Sequence, residues 1–479
     1  MAPSRKIAVI GGGMAGLAAT YELAKMQRQG APIEPTLFEA SGRLGGTVET
    51  LRKDGFVLEC GPDGWVTEKP WARELAIELG LEGELIPSND AQRRTYLLQS
   101  GSLQPMPEGL RMMVPSNWAP LLASPLLTAQ AKLAYLREPG RAAELKAWAA
   151  NHPEDESVSQ LVRRHFGDEV AEKLAAPLLS GVFGGDVARL SAQAVMAPFV
   201  AMEREHGSLV LAVQQRALSA TNRSSIFASL RDGVGALIEA IIASLPETAI
   251  RLRHPVSSIE RSGDQWTLRS GESGDKQERF DAIILAAPAH AASDLLSPLD
   301  PRSADLLAMD ASSAIIVVLG FSPQQAARMR IPRGFGFLVP PQPPHQAGRA
   351  APRNSLLAAT FLDQKFADRV PAGGKLLRAF FGGSEAARLM GETDASLAAL
   401  ARQQLEQVLG PLPESAVELV RRWPRSLPQY EVGHLQRVEE LQQRIARIPA
   451  LRLIGNAYYG VGLPDLIREG RSAARAFFP

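Results

Sequence analysis

A single cysteine, Cys60, stands among 479 residues. One thiol cannot close an internal disulfide, so a bridged extracellular scaffold is excluded and a reducing compartment is expected. An excess of either charge is also missing. The 52 Lys and Arg face 51 Asp and Glu, a formal net charge of +1. Without a global field, nucleic acid is not an expected partner. No run reaches the roughly twenty apolar residues needed to span a bilayer. The opening MAPSRK leads into an apolar strand with no h-region or cleavage site, so no signal peptide is expected. The expected location is cytoplasmic, with peripheral membrane contact and a homodimer carried as further expectations. The seven histidines show no H-E-x-x-H spacing, and no Ser-His-Asp, Cys-His or paired-carboxylate arrangement stands out. Neither a metal nor a side-chain catalyst is expected.

What is present is apolar bulk. At 45% apolar over this length, two or three cores are expected. The short β-rich run at residues 6–10 ends in glycines, a helical pattern covers 14–29, and a second strand covers 35–38. That is a βαβ unit. From 105 to 207 the text turns helical and Leu/Ala-rich, broken by Pro115, Pro120, Pro125 and Pro139. This insert either packs on its own core or offers an apolar surface to a membrane or a substrate entrance. Beyond Gly233 come a helix at 234–244, strands at 255–261 and 265–269, and the buried-looking FDAIILAAP at 280–288, which suggests a return to the first domain. Strands at 313–320, 335–339, 356–361 and 376–381 with a helix at 395–409 read as an α+β domain, and 345–353 as a loop.

Gly11, Gly13 and Gly16 fit G-x-G-x-x-G directly after a strand, in the run Gly11-Gly12-Gly13-Met14-Ala15-Gly16. The first glycine permits the turn, the second admits a pyrophosphate, and the third lets helix and strand pack closely. The helix N-terminus then offers N–H donors to the anion. Glu39 follows 23 residues after Gly16 at a strand end, where a carboxylate would bind ribose hydroxyls. The continuation Glu39-Ala40-Ser41-Gly42-Arg43-Leu44-Gly45-Gly46 resembles the R-x-G-G extension of the flavin amine oxidase superfamily, which implies FAD rather than NAD. Near the C-terminus, the glycines of residues 453–465 precede a helix, where backbone N–H groups would face the flavin pyrimidine. His434 and Cys60 are read as structural: a hydrogen-bonding ring and a small buried residue. The flavin is therefore expected to be non-covalent.

Further segments are similar to the protoporphyrinogen/coproporphyrinogen oxidase family over essentially the full length. They are Gly61-Pro62-Asp63-Gly64, residues 180–186, residues 334–340, Trp423-Pro424, Pro428-Gln429-Tyr430, Gly433-His434, Gly455-Asn456-Ala457-Tyr458 and residues 460–465. The resemblance implies an α/β fold: a Rossmann-type FAD-binding domain (1–89, 216–297, 423–479), an α+β substrate domain (298–422), and a helical, membrane-facing insert (90–215). It implies FAD contacts from Gly11 to Gly16, Glu39, Ala40, Arg43, Gly45, Gly46, Gly61 to Gly64, Val256, Trp423, Val461, Gly462 and Leu463. Leu338 would lie against a tetrapyrrole, Phe380 would stack on a pyrrole, and the Gly181 carbonyl would face the pyrrole N–H groups.

The chain also departs from the family. Where members acting on protoporphyrinogen carry an arginine for a propionate, this sequence has Thr95, with Arg94 adjacent. The second macrocycle-sandwiching leucine falls on Thr360. Residues 106–109 and 358–361 look closer to the bacterial branch. Arg94, Arg333 and Arg378 are arginines available near the pocket for propionates. The activity implied is six-electron oxidation of a porphyrinogen by O2, yielding H2O2. An amine oxidase or desaturase on the same frame, and a non-catalytic escort protein, are the competing readings.

Overall fold

The computed structural model describes residues 4–219, 225–271, 274, 276–341 and 355–478. The loop expected at 345–353 lies outside the described residues. Arg5–Ile10 is buried from Ile7 onward and pairs in parallel with Ile33–Glu39 on one side and Ala282–Leu285 on the other. Ile250–Leu252 and Leu451–Leu453 extend this sheet at its two edges, also in parallel. Its central strands, residues 7–10 and Ala282–Leu285, are buried on both faces, which explains their continuous apolar text. Three separated stretches of chain thus build one nucleotide-type sheet.

The helix Met14–Arg28 packs on that sheet, buried from Met14 to Ala24, with Lys25 and Arg28 placed in its last turn. Cations there complement the negative end of the helix dipole. Leu463–Arg475 lies against this helix, and Gly470 makes the close approach possible. A Cβ on Gly470 would come within 2.3 Å of the Ala15 carbonyl oxygen.

A second, mixed sheet has seven strands, ordered Val417–Pro428, Ala311–Phe321, Lys375–Gly382, Ala358–Phe361, Gly336–Leu338, Thr95–Gln99 and Ser102–Pro105. The last two fall inside the stretch grouped above with the helical insert. Thr95–Gln99 pairs in parallel with Gly336–Leu338, so main-chain hydrogen bonding draws it into the substrate sheet. Val417–Pro428 likewise runs unbroken across the boundary placed between 422 and 423.

The sheet has two unlike faces. One carries Ile315, Val317, Phe361, Ala379 and Phe381, all fully buried in a core that includes Leu397, Ala401 and Leu405 of the helix Asp394–Leu409. The other faces the nucleotide unit and the helical insert. The insert packs its own core, where the Tyr135 and Phe166 rings stack 4.5 Å apart. No described helix is long and apolar enough to cross a membrane.

Candidate active site at the junction of sheet, glycine turns and helical insert

Gly13 caps the helix Met14–Arg28 with extended backbone and no side-chain hydrogen bond. No atom lies within 4 Å of where a Gly13 Cβ would sit, so this helix N-terminus opens onto free space. The turn before it is packed tightly. A Cβ on Gly16 would meet the Gly11 carbonyl oxygen at 1.9 Å, and Gly11 itself holds φ +111°. The Gly45-Gly46 pair closes over the turn through a bridge between Gly13 and Gly45. An anion approaching here meets unpaired N–H groups and the positive end of a dipole.

Glu39 holds the rim of this turn. Its carboxylate accepts from the Gly12 and Ser41 N–H groups, each at 2.8 Å. Ala40 is exposed beside it. The chain that leads to Val256 runs alongside, since His254 N–H donates to the Glu39 carbonyl. Arg43 donates to the carbonyls of Leu44 and Gly46 and lies 5.3 Å over the Trp423 ring. Trp423 in turn donates its indole N–H to the Cys60 carbonyl at 2.7 Å. Gly462 caps the helix Leu463–Arg475, with Val461 half-buried before it and Leu463 buried within it. The residues singled out for the nucleotide thus converge from both ends of the chain. They form a cradle with an open helix N-terminus, which fits a dinucleotide.

Cys60 and His434 are structural in place. Cys60 is fully buried, and burial pushes its thiol up to about 12. His434 is buried, stacks on Tyr430 at 3.9 Å, and shares a 2.9 Å hydrogen bond with the Tyr458 carbonyl.

Residues 61–64 connect the cradle to the second sheet. A Gly61 Cβ would overlap the Thr47 carbonyl, one residue past the Gly45-Gly46 pair. On the other side, Arg378 donates to the Gly61 carbonyl, and its guanidinium reaches the Asp63 carboxylate at 3.2 Å. Lys365 pairs with the same carboxylate at 2.8 Å. Beneath them Arg369 and Glu59, both fully buried, face each other at 3.7 Å. Burial alone would raise Asp63, but Lys365, Arg378 and Arg369 together hold it below its ordinary value. Burial wins at Glu59, whose carboxyl is pushed up despite Arg369.

The sheet face above this cluster carries the expected substrate residues. Leu338 pairs in register with Ala358, Ala358 with Phe380, and Thr360 with Arg378. Directly paired residues of an antiparallel sheet share a face, as do alternate residues along a strand. Leu338, Thr360 and Phe380 therefore form one strip. All three are half-buried, whereas Phe337, Ala359 and Phe381 on the reverse are fully buried. Gly181 comes over this strip from the insert, since its Cβ would sit 3.2 Å from a Leu338 methyl. It lies in the last turn of the helix Ala176–Phe183, where carbonyls lack helical partners.

Arg94 is not part of this strip. It is exposed and paired to Glu108 at 3.1 Å. Arg333 is exposed as well, whereas Arg378 is buried and engaged by Asp63 and Gly61. Lys365, Arg369 and Gly470 were not singled out from the sequence. Gly470, following a helical run after the glycine turn, carried a usable signal for close helix packing. Lys365 and Arg369 carried none.

The sequence pattern of the flavin containing amine oxidoreductases matches residues 14–477. The chain belongs to that family, and its cofactor is a flavin. Within it, coproporphyrinogen III oxidase of Bacillus subtilis (strain 168) is 33% identical, covering 98% of this chain and 97% of its own. The enzyme of that name from Staphylococcus aureus is 28% identical, covering 98% of each. A crystal structure from Exiguobacterium sp. 255-15, provisionally named protoporphyrinogen oxidase, superposes with a TM-score of 0.82 at 31% identity, covering 99% of this chain and 98% of that one.

Proposed function

We propose that this chain oxidises a porphyrinogen, coproporphyrinogen III or protoporphyrinogen IX, to the porphyrin, using non-covalent FAD and O2. The observation that carries the reading is the half-buried strip of Leu338, Thr360 and Phe380, which lies beneath Gly181 and beside Arg378, itself bonded to the 61–64 segment. The apolar pyrrole faces of a porphyrinogen macrocycle suit this strip. The relatives named for porphyrinogen oxidation match this chain over nearly its full length.

Gly11 to Gly16, Glu39, Ala40, Arg43, Gly45, Gly46, Gly61 to Gly64, Val256, Trp423 and Val461 to Leu463 would hold the FAD, which supplies a two-electron acceptor. The protein's part is orientation and electrostatics. Leu338 and Phe380 line one side of the macrocycle and shield the reacting carbon from water. The Gly181 carbonyl, at the negative end of its helix, accepts a pyrrole N–H and steadies the positive charge that develops as electrons leave. Six electrons leave in three such rounds, with H2O2 formed as O2 takes them up. The domain reading follows: nucleotide unit, substrate sheet and helical insert meet at this one site. Leu122, Leu133 and Leu136 are exposed on the insert, which suits a peripheral membrane contact.

An aromatic cage for an amine is not supported. Tyr458 is 1% exposed within the core of the nucleotide unit, while Tyr459 is 48% exposed. Porphyrin fluorescence on coproporphyrinogen III and protoporphyrinogen IX, followed in parallel, tests the reading. A preference of tenfold or more in kcat/KM names the substrate and amounts to about 1.4 kcal/mol of differential transition-state binding. A flavin-bound protein that turns over neither would refute the reading.

A further inference from the structure

The buried cluster at the junction is not electrically balanced. Asp63 is shared between Lys365 at 2.8 Å and Arg378 at 3.2 Å, so three charged groups sum to one positive charge in excess. The next pair, Glu59 with Arg369, cancels itself when Glu59 is ionised, and adds a second positive charge when it is not. No other carboxylate pairs with Lys365 or Arg378 among the described residues. Arg378 is 1% exposed, and its Nε has no hydrogen-bond partner among the described residues. Lys365 is largely shielded and lies 4.7 Å over the Phe227 ring. Surrounding apolar groups screen such a charge poorly, so its field reaches outward from the cluster.

The position of the cluster decides where that field falls. Asp63 and Gly61 belong to the segment packed against Thr47, beside the Gly45-Gly46 pair that bridges to the open helix N-terminus. Arg378 stands in the substrate strip, paired in register with Thr360 and 4.9 Å beneath the Phe380 ring. The excess charge therefore sits between the cofactor cradle and the substrate wall. Hydride transfer across that gap moves two electrons and one proton from a porphyrinogen bridge carbon, and so delivers one net negative charge to the cofactor side. The oxidised substrate is left one positive charge, which departs as a proton from a pyrrole nitrogen.

We propose that Lys365, Asp63 and Arg378 form an electrostatic element whose uncompensated positive charge stabilises the reduced flavin and so sets its potential. The proposal rests on the flavin reading of the cradle. Lys365 acts through the field and through Asp63, and is a positioning residue rather than a catalytic one. The charge should respond in opposite directions to the loss of either sign. Lys365→Met leaves a neutral Asp63–Arg378 pair, and Asp63→Asn leaves two cations unopposed.

The test is the midpoint potential of the bound flavin, measured spectroscopically on the purified holoprotein and its variants. Lys365→Met should lower the potential and Asp63→Asn should raise it. Each should change the reduced-to-oxidised ratio at a fixed potential at least tenfold, about 30 mV for a two-electron couple. Lys365→Arg keeps the charge and should keep the potential, which a purely structural role for the amine would not predict. Titration with coproporphyrin III, read by flavin absorbance, forms the second arm. Unchanged potentials in Lys365→Met with weakened porphyrin binding would assign the charge to a substrate carboxylate and overturn the proposal. Potentials moving the same way in both variants would overturn it too. Protein that takes up no flavin would overturn the cofactor reading, and this proposal with it.

Discussion

The Trp423 indole N–H donates to the Cys60 carbonyl across 2.7 Å, and this bond ties the longest strand of the substrate sheet to the start of the 61–64 segment. The same ring carries the Arg43 guanidinium 5.3 Å above its centre. One side chain thus fixes the distance between two parts of the site separated by 363 positions. Trp423→Phe would keep a ring for Arg43 but leave the Cys60 carbonyl without its donor. Stranding a shielded acceptor costs about 1–3 kcal/mol. The expected outcome is a lower Tm and weaker flavin retention on gel filtration, with Trp423→Ala worse than Trp423→Phe on both readouts.

The helical insert contains a buried charge network of its own. His165 is fully buried, with Nδ1 2.7 Å from Glu138 and Nε2 3.0 Å from Glu203. Arg164 completes the group at 2.9 Å from Glu203. Burial alone would lower the imidazole, but hydrogen bonds to Glu138 and Glu203 raise it above its ordinary 6.5. Glu203 is held below its ordinary 4.5: burial opposes this, and His165 and Arg164 outweigh burial. A raised histidine stabilises the folded state fully below its unfolded value, and that gain is lost as pH climbs through the folded value. The lowered Glu203 contributes above its unfolded value and loses its gain as pH falls. Urea unfolding should therefore show greatest stability between these limits and a decline on the alkaline side above 6.5. His165→Gln should lessen the alkaline decline and cost about 3–5 kcal/mol, because buried Glu138 loses its cation while Glu203 keeps only Arg164.

Much of the nucleotide cradle was legible because its chemistry is local. A glycine turn between strand and helix, and an acid at the next strand end, are spacing signals that one sequence displays. The half-buried strip was legible only through resemblance, since Leu338 and Phe380 read alone as ordinary core residues of strands. Pairings over long separations were not legible. Thr95–Gln99 joins Gly336–Leu338 by main-chain bonds that leave no mark on side-chain text. Lys365 meets Asp63 across 302 positions, and nothing near Lys365 in sequence distinguishes it from a solvated lysine. Arg378 was noticed as an arginine, but only the register with Thr360 shows that it points inward.

Glu469 supplies a second pH dependence, of opposite origin. Its carboxyl sits in the helix Leu463–Arg475, makes one long 3.4 Å contact to the Gly455 N–H, and keeps Oε1 buried without a partner. Burial pushes it up from 4.5 to about 7, against a modest pull from Gly455 and Arg468. A carboxyl raised by folding favours the folded state in its protonated form. Stability from this group is present below the unfolded value and is lost as pH rises through about 7. Glu469→Gln, which cannot ionise, should gain on the order of 2 kcal/mol at pH 8 and almost nothing at pH 4. Thermal denaturation at both pH values checks this, and equal gains at the two would refute it.

The contact at Gly470 links stability to cofactor retention most directly. Its Cα lies so close to the helix Met14–Arg28 that an added methyl would sit 2.3 Å from the Ala15 carbonyl oxygen and 2.9 Å from the Ala18 Cβ. Backbone lies on one side and a packed alanine on the other, so no flexible neighbour can yield. Arg471 and Arg475 each hold Glu22 at 2.7 Å, which pins the two helices together just beyond the contact. Gly470→Ala must therefore push the helices apart against these bonds, at about 1–3 kcal/mol by the usual cost of overpacking. Both helices begin at the cradle, one capped by Gly13 and the other by Gly462. A rigid shift at position 470 is thus carried to both N-termini. The expected outcome is a Tm loss together with flavin that dissociates more readily, measured as free flavin fluorescence after dilution. A Tm loss with retention unchanged would mean the strain is absorbed within the helices and never reaches the site.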